Sequence, residues 1–568
     1  MKRNHYIIIS LLTLASALCA CKDDYLDVRK IDANISVEQL YRNYPYAQTA
    51  LWNIYSYLPD GFANLDMEAA TDNAESTSVD AISQAFNLGI WNQYTNPDGR
   101  WNINFNGIRN ANLFLKNKEK IDIAYIKNGV VGVDSSNYFN ARDNVKYMEG
   151  EALFLKAFFY FELVKRYGGV PLLEEPLDPE DAATWKNVQR SSLDESLKYI
   201  ASLCDKAAAI IPANLTASWY EDGRVRHGAI RALKARVLLY GASPLYKANG
   251  SSITWAQAAS AANEVIQLAR YSLDASYTKV FSKDNAGTAE LIFYRRYGAL
   301  NWIEKNNFPI VFENSNGRSV TPSQNFVDAF EVLEKDGAGT VTGSVPFNWN
   351  NPAHTANPYA NRDPRLAATV ITNNSSYQST TIETFYGGNS GLPRLNATKT
   401  GYYLAKWSNS ALNLVTNTTS DHNWIYFRYG EVLLNYAEAM FNAYGAQSDP
   451  GNFGMTALQA INMVRTRAGV PALTAAQLNQ AAIERERNVE LSFENHRFWD
   501  VRRWNKGTTY FKAPLNRIDI TKSTSGSAVT FTYTVKKLED RIFEEKMNWY
   551  PIPQAEINKT GWAQNAGW

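Results

Sequence analysis

The strongest constraint on this chain is the helical period of residues 144–167. Leu153, Ala157, Tyr160 and Val164 recur on one stripe, and Phe154, Phe158 and Phe161 widen it. So broad an apolar face has to be buried against other helices. Gly168-Gly169 and Pro171 end the segment, because glycine takes the left-handed cap and proline cannot continue a helix. Candidate partners lie on both sides in sequence. Residues 36–58 place Leu40, Tyr44, Ala47, Leu51, Ile54 and Leu58 at helical spacing, and residues 101–115 place Trp101, Ile108, Ala111 and Leu115 likewise. This stripe assigns Trp101 to the core. Ser192 and Glu195 form a capping box that opens a helix running to Ile211, before Pro212.

Residues 226–241 and 255–269 form an alanine-rich helix pair in which Ala232, Ala235, Ala258, Ala261 and Ala262 permit close antiparallel packing. Such pairs are similar to tetratricopeptide-type hairpins, although no clean period of about 34 residues survives, so they are degenerate repeats. From 271 to 422 the pattern dissolves into Asn, Gly, Ser, Thr and Pro with short helical or strand pieces. So long an irregular stretch inside a folded domain is more often functional than idle. Helices resume at 424–444, 455–468 and 474–504, the last opening with a Thr474/Gln477 capping box. Residues 529–536 alternate as a hairpin strand, with Val529, Phe531, Tyr533 and Val535 on one face. The expected fold is mainly α, with a large loop-rich region and a few short strands.

The N-terminus reads as a leader. Lys2 and Arg3 precede an apolar run from Tyr6 to Ala20. That run makes roughly 22 Å of helix against about 30 Å of bilayer hydrocarbon, too short to span comfortably. Leu18-Cys19-Ala20-Cys21 resembles a bacterial lipobox, with Cys21 as the acylated residue; Cys19 does not fit, because Leu18 is a poor small residue for cleavage. Residues 1–20 are therefore expected to be a lipoprotein signal peptide, and 21–35 a lipidated tether. Lys22-Asp23-Asp24 also resembles the signal that sends lipoproteins of the Bacteroidetes to the cell surface. An ordinary secretory signal followed by a chance cysteine is the alternative.

Composition narrows the partners. The 568 residues include 57 basic and 56 acidic side chains, a balance that gives no electrostatic reason to expect nucleic acid or an anionic membrane. After cleavage only Cys21 and Cys204 remain, so no disulfide framework is available and a large core has to supply stability. The outlier is aromatic content, 13% of the chain, with 15 Trp and 33 Tyr. These side chains join an apolar face to a polar tip and suit wet, flat recognition surfaces.

The ordered set of motifs carries a family resemblance. FRYGEVLLNYAEA at 427–439, INMVRTRAGVP at 461–471 and ERNVELSFENHRFWDVRRW at 486–504 follow one another. YPIPQAE at 550–556 and QNAGW at 564–568 close the chain. With RDPRL at 362–366, the aromatic helix ending in YGGVP at 171 and the CKDDYLD start at Cys21, they resemble the SusD/RagB family over essentially the whole mature chain. The resemblance implies a mostly α-helical fold of tetratricopeptide-like units, with residues 36–270 forming an N-terminal part and 271–568 a C-terminal part of one unit. It further implies a surface-exposed outer-membrane lipoprotein that captures glycan and passes it to a SusC-like TonB-dependent transporter. Some members of the family handle peptides. No cofactor is implied.

Catalytic patterns are sparse. Glu486, Glu490 and Glu494 recur at four-residue spacing, which could suggest paired carboxylates of a glycosidase. With Arg487 and Arg497 nearby, ordinary ion pairs are the better reading, and Arg428, Glu431, Arg362 and Arg365 are likewise read as structural ties rather than catalytic groups. His227, His354, His422 and His496 lack metal-ligand spacing, and neither a nucleophile elbow nor a Walker loop occurs. The expectation is a binding protein that does not turn its ligand over. The alternatives are an all-helical glycoside hydrolase and a helical-repeat scaffold or peptide-binding lipoprotein.

Sugar binding needs an aromatic face against ring C–H groups and polar side chains for hydroxyls. Three loop clusters meet that description: Trp91, Asn92 and Tyr94 with Arg100; Tyr297 and Trp302 with Arg296; and Trp219 with Tyr220. The first two occupy the parts of the chain from which ligand-facing aromatics come in starch-binding members of the family. Trp499, Trp504 and Trp568 lie within family motifs and are assigned structural roles.

Overall fold

In the computed structural model of the protein, the described residues are 37–127, 134–177, 182–283, 285–318 and 320–568. The leader, Cys21 and the Lys22-Asp23-Asp24 signal lie outside them. The aromatic segment read at 144–167 belongs to a longer helix, Asp134–Tyr167, lying between Trp101–Asn117 and Leu193–Ile210. The chain then stacks helix on helix: Leu193–Ile210 on His227–Ala242, that on Trp255–Ile266, that on Tyr429–Tyr444, and finally Ala457–Arg467. Phe154, Phe158, Phe159 and Phe161 are buried at the centre. Each contributes about 1.5–3 kcal/mol by leaving water. Gly107 lets the flanking helix approach, since a Cβ there would sit 2.6 Å from the Phe159 ring. Among the described residues no helix is long and apolar enough to cross a membrane.

Local signals and tertiary contacts divide the work. Ser192 caps its helix by accepting from the Glu195 N–H, and Glu195 reciprocates, as the capping box requires. The 36–58 segment, by contrast, is two helices, Val37–Arg42 and Tyr44–Ser56. Asn43 caps the second by accepting from the Tyr46 N–H at 3.2 Å, with Pro45 in its first turn. The 474–504 segment is also broken, into Gln480–Glu490 and Arg497–Arg503. The Thr474/Gln477 pair closes only a turn, Asn479 caps the helix, and Phe493 and Asn495 take positive φ between the two pieces.

Strands form six separate antiparallel pairs among the described residues, four of them built from strands of five residues or fewer. The pair Leu291–Leu300 with Ser420–Arg428 matters most for position. Its register joins Tyr297 to His422 and Leu300 to Ser420 across the irregular region. It also corrects the reading of 424–444 as one helix: Trp424 to Arg428 are strand, and the helix is Tyr429–Tyr444. Leu515–Ser525 with Ala528–Glu539 makes the expected hairpin.

A buried ionic cluster ties these parts together. Arg428 contacts Glu290 at 2.7 Å, Glu490 at 2.8 Å and Glu494 at 2.7 Å. Arg365 reaches Glu486 at 2.6 Å and Glu490 at 2.9 Å, and Arg467 holds Glu290 at 2.9 Å. Burial alone would raise the Glu490 carboxyl, but Arg467, Arg428 and Arg365 outweigh it and hold it well below the usual carboxylate range. The three glutamates are thus structural, yet their partners come from distant segments and not from the adjacent helical turn. Arg362 has another role: its guanidinium donates to the Phe330 and Pro358 carbonyls, both at 2.7 Å.

Candidate functional site

Past the end of the Leu291–Leu300 strand the chain enters a short helix, Trp302–Asn307. Asn301 does not cap it. Its amide donates instead to Asn417 at 3.0 Å and to the Thr418 carbonyl at 2.9 Å, which pins the helix start to the loop before the partner strand. Trp302 is thereby presented outward, 45% exposed. Asn306, four residues on, shares its helical face.

These residues line an open cleft of about 640 Å³, whose other walls include Phe62, Asp66, Asn316, Arg318 and Asn396. Its asparagines are linked in series. The Asn316 amide donates to Asn306 Oδ1 at 3.1 Å, and the Asn396 amide donates to the Asn316 carbonyl at 3.3 Å. The Asn316 N–H donates to the Lys305 carbonyl at 2.7 Å, closing the loop back on the helix. Gly317 is required here: its φ is +61°, and a Cβ would lie 2.3 Å from Asn396 Cβ. Thr77 donates its hydroxyl to the Gly317 carbonyl from a remote part of the chain.

The floor is rigid. Phe62 is buried and meets Trp424, Tyr297 and Trp407 edge-on at 5.1–5.3 Å. Asp66 is half-buried, and that burial raises its carboxyl above the ordinary value. Arg318 is exposed and forms no ion pair among the described residues. The cleft therefore offers an indole face, amide donors and acceptors, a guanidinium and a carboxylate.

The sequence-derived candidates do not all meet here. Tyr297 stands behind the cleft, its hydroxyl donating to Asp60 at 2.8 Å and its ring against Phe62. Arg296 is exposed in the middle of the strand, beside a separate cleft of about 340 Å³ that also includes Trp52 and Tyr294. Trp91 is a correction. It is 3% exposed, packed on Trp568 at 4.6 Å and on Tyr550 and Phe86 at 5.0 Å, because the C-terminal segment folds over it. Asn92 spends its side-chain oxygen accepting from the Tyr94 and Thr95 N–H groups, leaving Tyr94 as an exposed ring outside the cleft.

Arg100 is half-buried and donates to the Tyr57 carbonyl at 3.3 Å; burial, then the neighbouring Arg166, lowers its pKa. Tyr220 is another correction: it is buried, its hydroxyl donates to the Val225 carbonyl at 2.6 Å, and Arg224 covers its ring at 4.0 Å. Trp219 is half-buried and stacks on Tyr147 at 6.0 Å. Of the nine ligand-binding candidates, Trp302 alone lines this cleft. Sequence reading missed Asp66, Asn306, Asn316, Arg318 and Asn396. Only Asn306 carried a local signal, its helical spacing from Trp302.

Comparison with known proteins resolves what kind of molecule carries this cleft. The profile of the SusD family matches residues 289–568. A second profile, described as starch-binding associating with outer membrane, matches residues 24–239. The chain belongs to the SusD/RagB family. SusD-like protein P25 of Formosa agariphila is 23% identical over 507 residues, which cover 83% of this chain and 85% of that protein. The crystal structure of a SusD-like protein from Bacteroides fragilis superposes with a TM-score of 0.76 at 26% identity, covering 93% of this chain and 98% of the other. A SusD-like carbohydrate-binding protein from the same species gives 0.71 at 23% identity, over 92% and 99%. The mainly α, SusD-like architecture is thereby established. The N-terminal profile associates such chains with starch binding and the outer membrane.

Proposed function

We propose that this SusD-like protein captures a glycan at the cell surface in the cleft at Trp302. The observation that carries the reading is an exposed indole sharing its cleft with a series of hydrogen-bonded asparagines above a packed aromatic floor. A pyranose presents a C–H face to the indole while its hydroxyls exchange hydrogen bonds with Asn306, Asn316, Asn396 and Arg318. Binding without hydrolysis suits the walls, since Asp66 is the one carboxylate among the described lining residues and acid–base glycosidases use two. In this proposal Cys21 carries the lipid that tethers the protein to the outer membrane, and a SusC-like TonB-dependent transporter receives the glycan. The family relationship and the lipobox-like sequence support both points.

Affinity electrophoresis of the purified protein against a panel of polysaccharides tests the reading. At least one glycan should retard the protein, Trp302→Ala should remove the retardation, and no new reducing ends should appear. Retardation by no glycan, or retardation that survives Trp302→Ala, overturns the site assignment. Reducing ends released at enzyme-like rates restore the hydrolase alternative.

A further inference from the structure

A second aromatic cleft, of about 280 Å³, lies where the Trp101–Asn117 helix meets the C-terminal end of the chain. Its walls include Trp101, Phe105, Trp185 and Trp562. Trp101 is buried and fixes the back wall, 4.9 Å from Phe105 and 6.2 Å from Trp562 between ring centres. The other three rings are half-buried, so each shows part of a face. Tertiary contacts hold the walls in place. The Trp562 indole donates to the Val188 carbonyl at 2.8 Å, and Lys559 lies over the Trp185 ring at 5.6 Å.

One edge of this cleft is polar in a regular way. Asn102, Asn106 and Arg109 are exposed on one face of the helix at spacings of four and three residues, roughly 6 Å and 4.5 Å along the axis. Their side chains form no hydrogen bond or ion pair among the described residues. The charges opposite are already matched, Glu175 by Lys116 at 3.0 Å and Glu556 by Lys559 at 3.0 Å. Beneath the edge sits Asn112, 2% exposed. Its amide donates to the Leu173 carbonyl at 2.9 Å, and its Oδ1 has no partner.

The geometry points to a second saccharide site in this cleft, taking a neutral hexopyranose unit between the indoles of Trp185 and Trp562 and the Asn102–Asn106–Arg109 edge. A sugar ring is apolar on its faces and hydroxylated around its rim, so it uses both kinds of wall at once. With Glu175 and Glu556 already paired to lysines, Arg109 is left as a donor for the hydroxyl oxygens of a neutral sugar. The site is separate from the Trp302 cleft and shares no lining residue with it.

The test uses full-length protein carrying Trp302→Ala, labelled with 5-fluorotryptophan and held in detergent. Trp185→Phe and Trp562→Phe assign the two fluorine resonances. Maltose, cellobiose and laminaribiose are titrated separately, alongside a short proline- and tyrosine-rich peptide. At least one disaccharide should move both resonances, and Asn106→Ala or Arg109→Ala should weaken that response about tenfold while leaving the melting temperature unchanged. No shift with any of the three disaccharides, a shift with the peptide alone, or a shift indifferent to both edge variants overturns the site. Because Trp302 is absent throughout, failure here is distinct from failure of the principal cleft.

Discussion

Trp302 and Trp91 give the sharpest test, because the fold assigns them opposite roles. Trp302 is 45% exposed, so of roughly 250 Å² of tryptophan surface about 110 Å² is free to meet a ligand. At about 25 cal/mol per Å², complete cover is worth about 2.8 kcal/mol, and a sugar on one face about 1.5 kcal/mol. Trp302→Ala should therefore weaken glycan binding by about ten- to a hundredfold. Its stability cost should stay near 1 kcal/mol, since the indole closes no core. Trp91 is 3% exposed among Trp568, Tyr550 and Phe86, and its truncation opens a cavity that the C-terminal segment cannot refill. Trp91→Ala should cost about 3–5 kcal/mol. Thermal scans with and without a glycan found by electrophoresis, together with titration calorimetry on both variants, read the two effects separately. Normal affinity in Trp302→Ala, or a native melting temperature with lost affinity in Trp91→Ala, would refute the reasoning.

Three further outcomes are expected. Burial pushes the His496 imidazole down to about 4 from an ordinary 6.5. Its neutral form thus supports the fold above pH 6.5, and up to about 3 kcal/mol is lost as pH falls from 6.5 to 4. The stability difference between wild type and His496→Gln should shrink over that window, as followed by denaturant melts; a difference independent of pH would rule the effect out. Gly317→Ala forces a Cβ into the left-handed region and against Asn396, so glycan affinity should fall while the helical circular dichroism stays native. Unchanged affinity would show that the Asn316–Asn396 contact does not shape the site. Cys21→Ala should release the protein from membranes in detergent-free fractionation, and a variant still tightly bound would sink the lipid anchor.

Much of the fold is legible in the sequence because it is written locally. Ser192 and Glu195 are three residues apart and settle their helix start between themselves. The losses occur where the deciding partner is remote. Trp424 to Arg428 read as helix because they abut a true helix, and only pairing with residues 291–295 reveals a strand. The break at Phe493 and Asn495 lets Glu494 reach Arg428 and Lys406, contacts that no window of sequence contains. Trp302 was visible as a tryptophan in an asparagine-rich irregular stretch. Trp91 looked the same, and the rings that bury it lie at the far end of the chain. Asn316 and Asn396 carry no distinguishing pattern, since asparagine in a loop is ordinary and their link through Gly317 exists only after folding.

The separation between framework and cleft has a consequence for how such proteins diversify. The ionic cluster around Arg428 and Glu490 locks distant segments by charges that cannot be removed singly without stranding a partner. The cleft is held differently, by amides that bond to neighbouring backbone and to one another. A substitution at Arg318 or Asn396 leaves no buried charge behind. The cleft can therefore be redrawn one residue at a time while the scaffold stays constant.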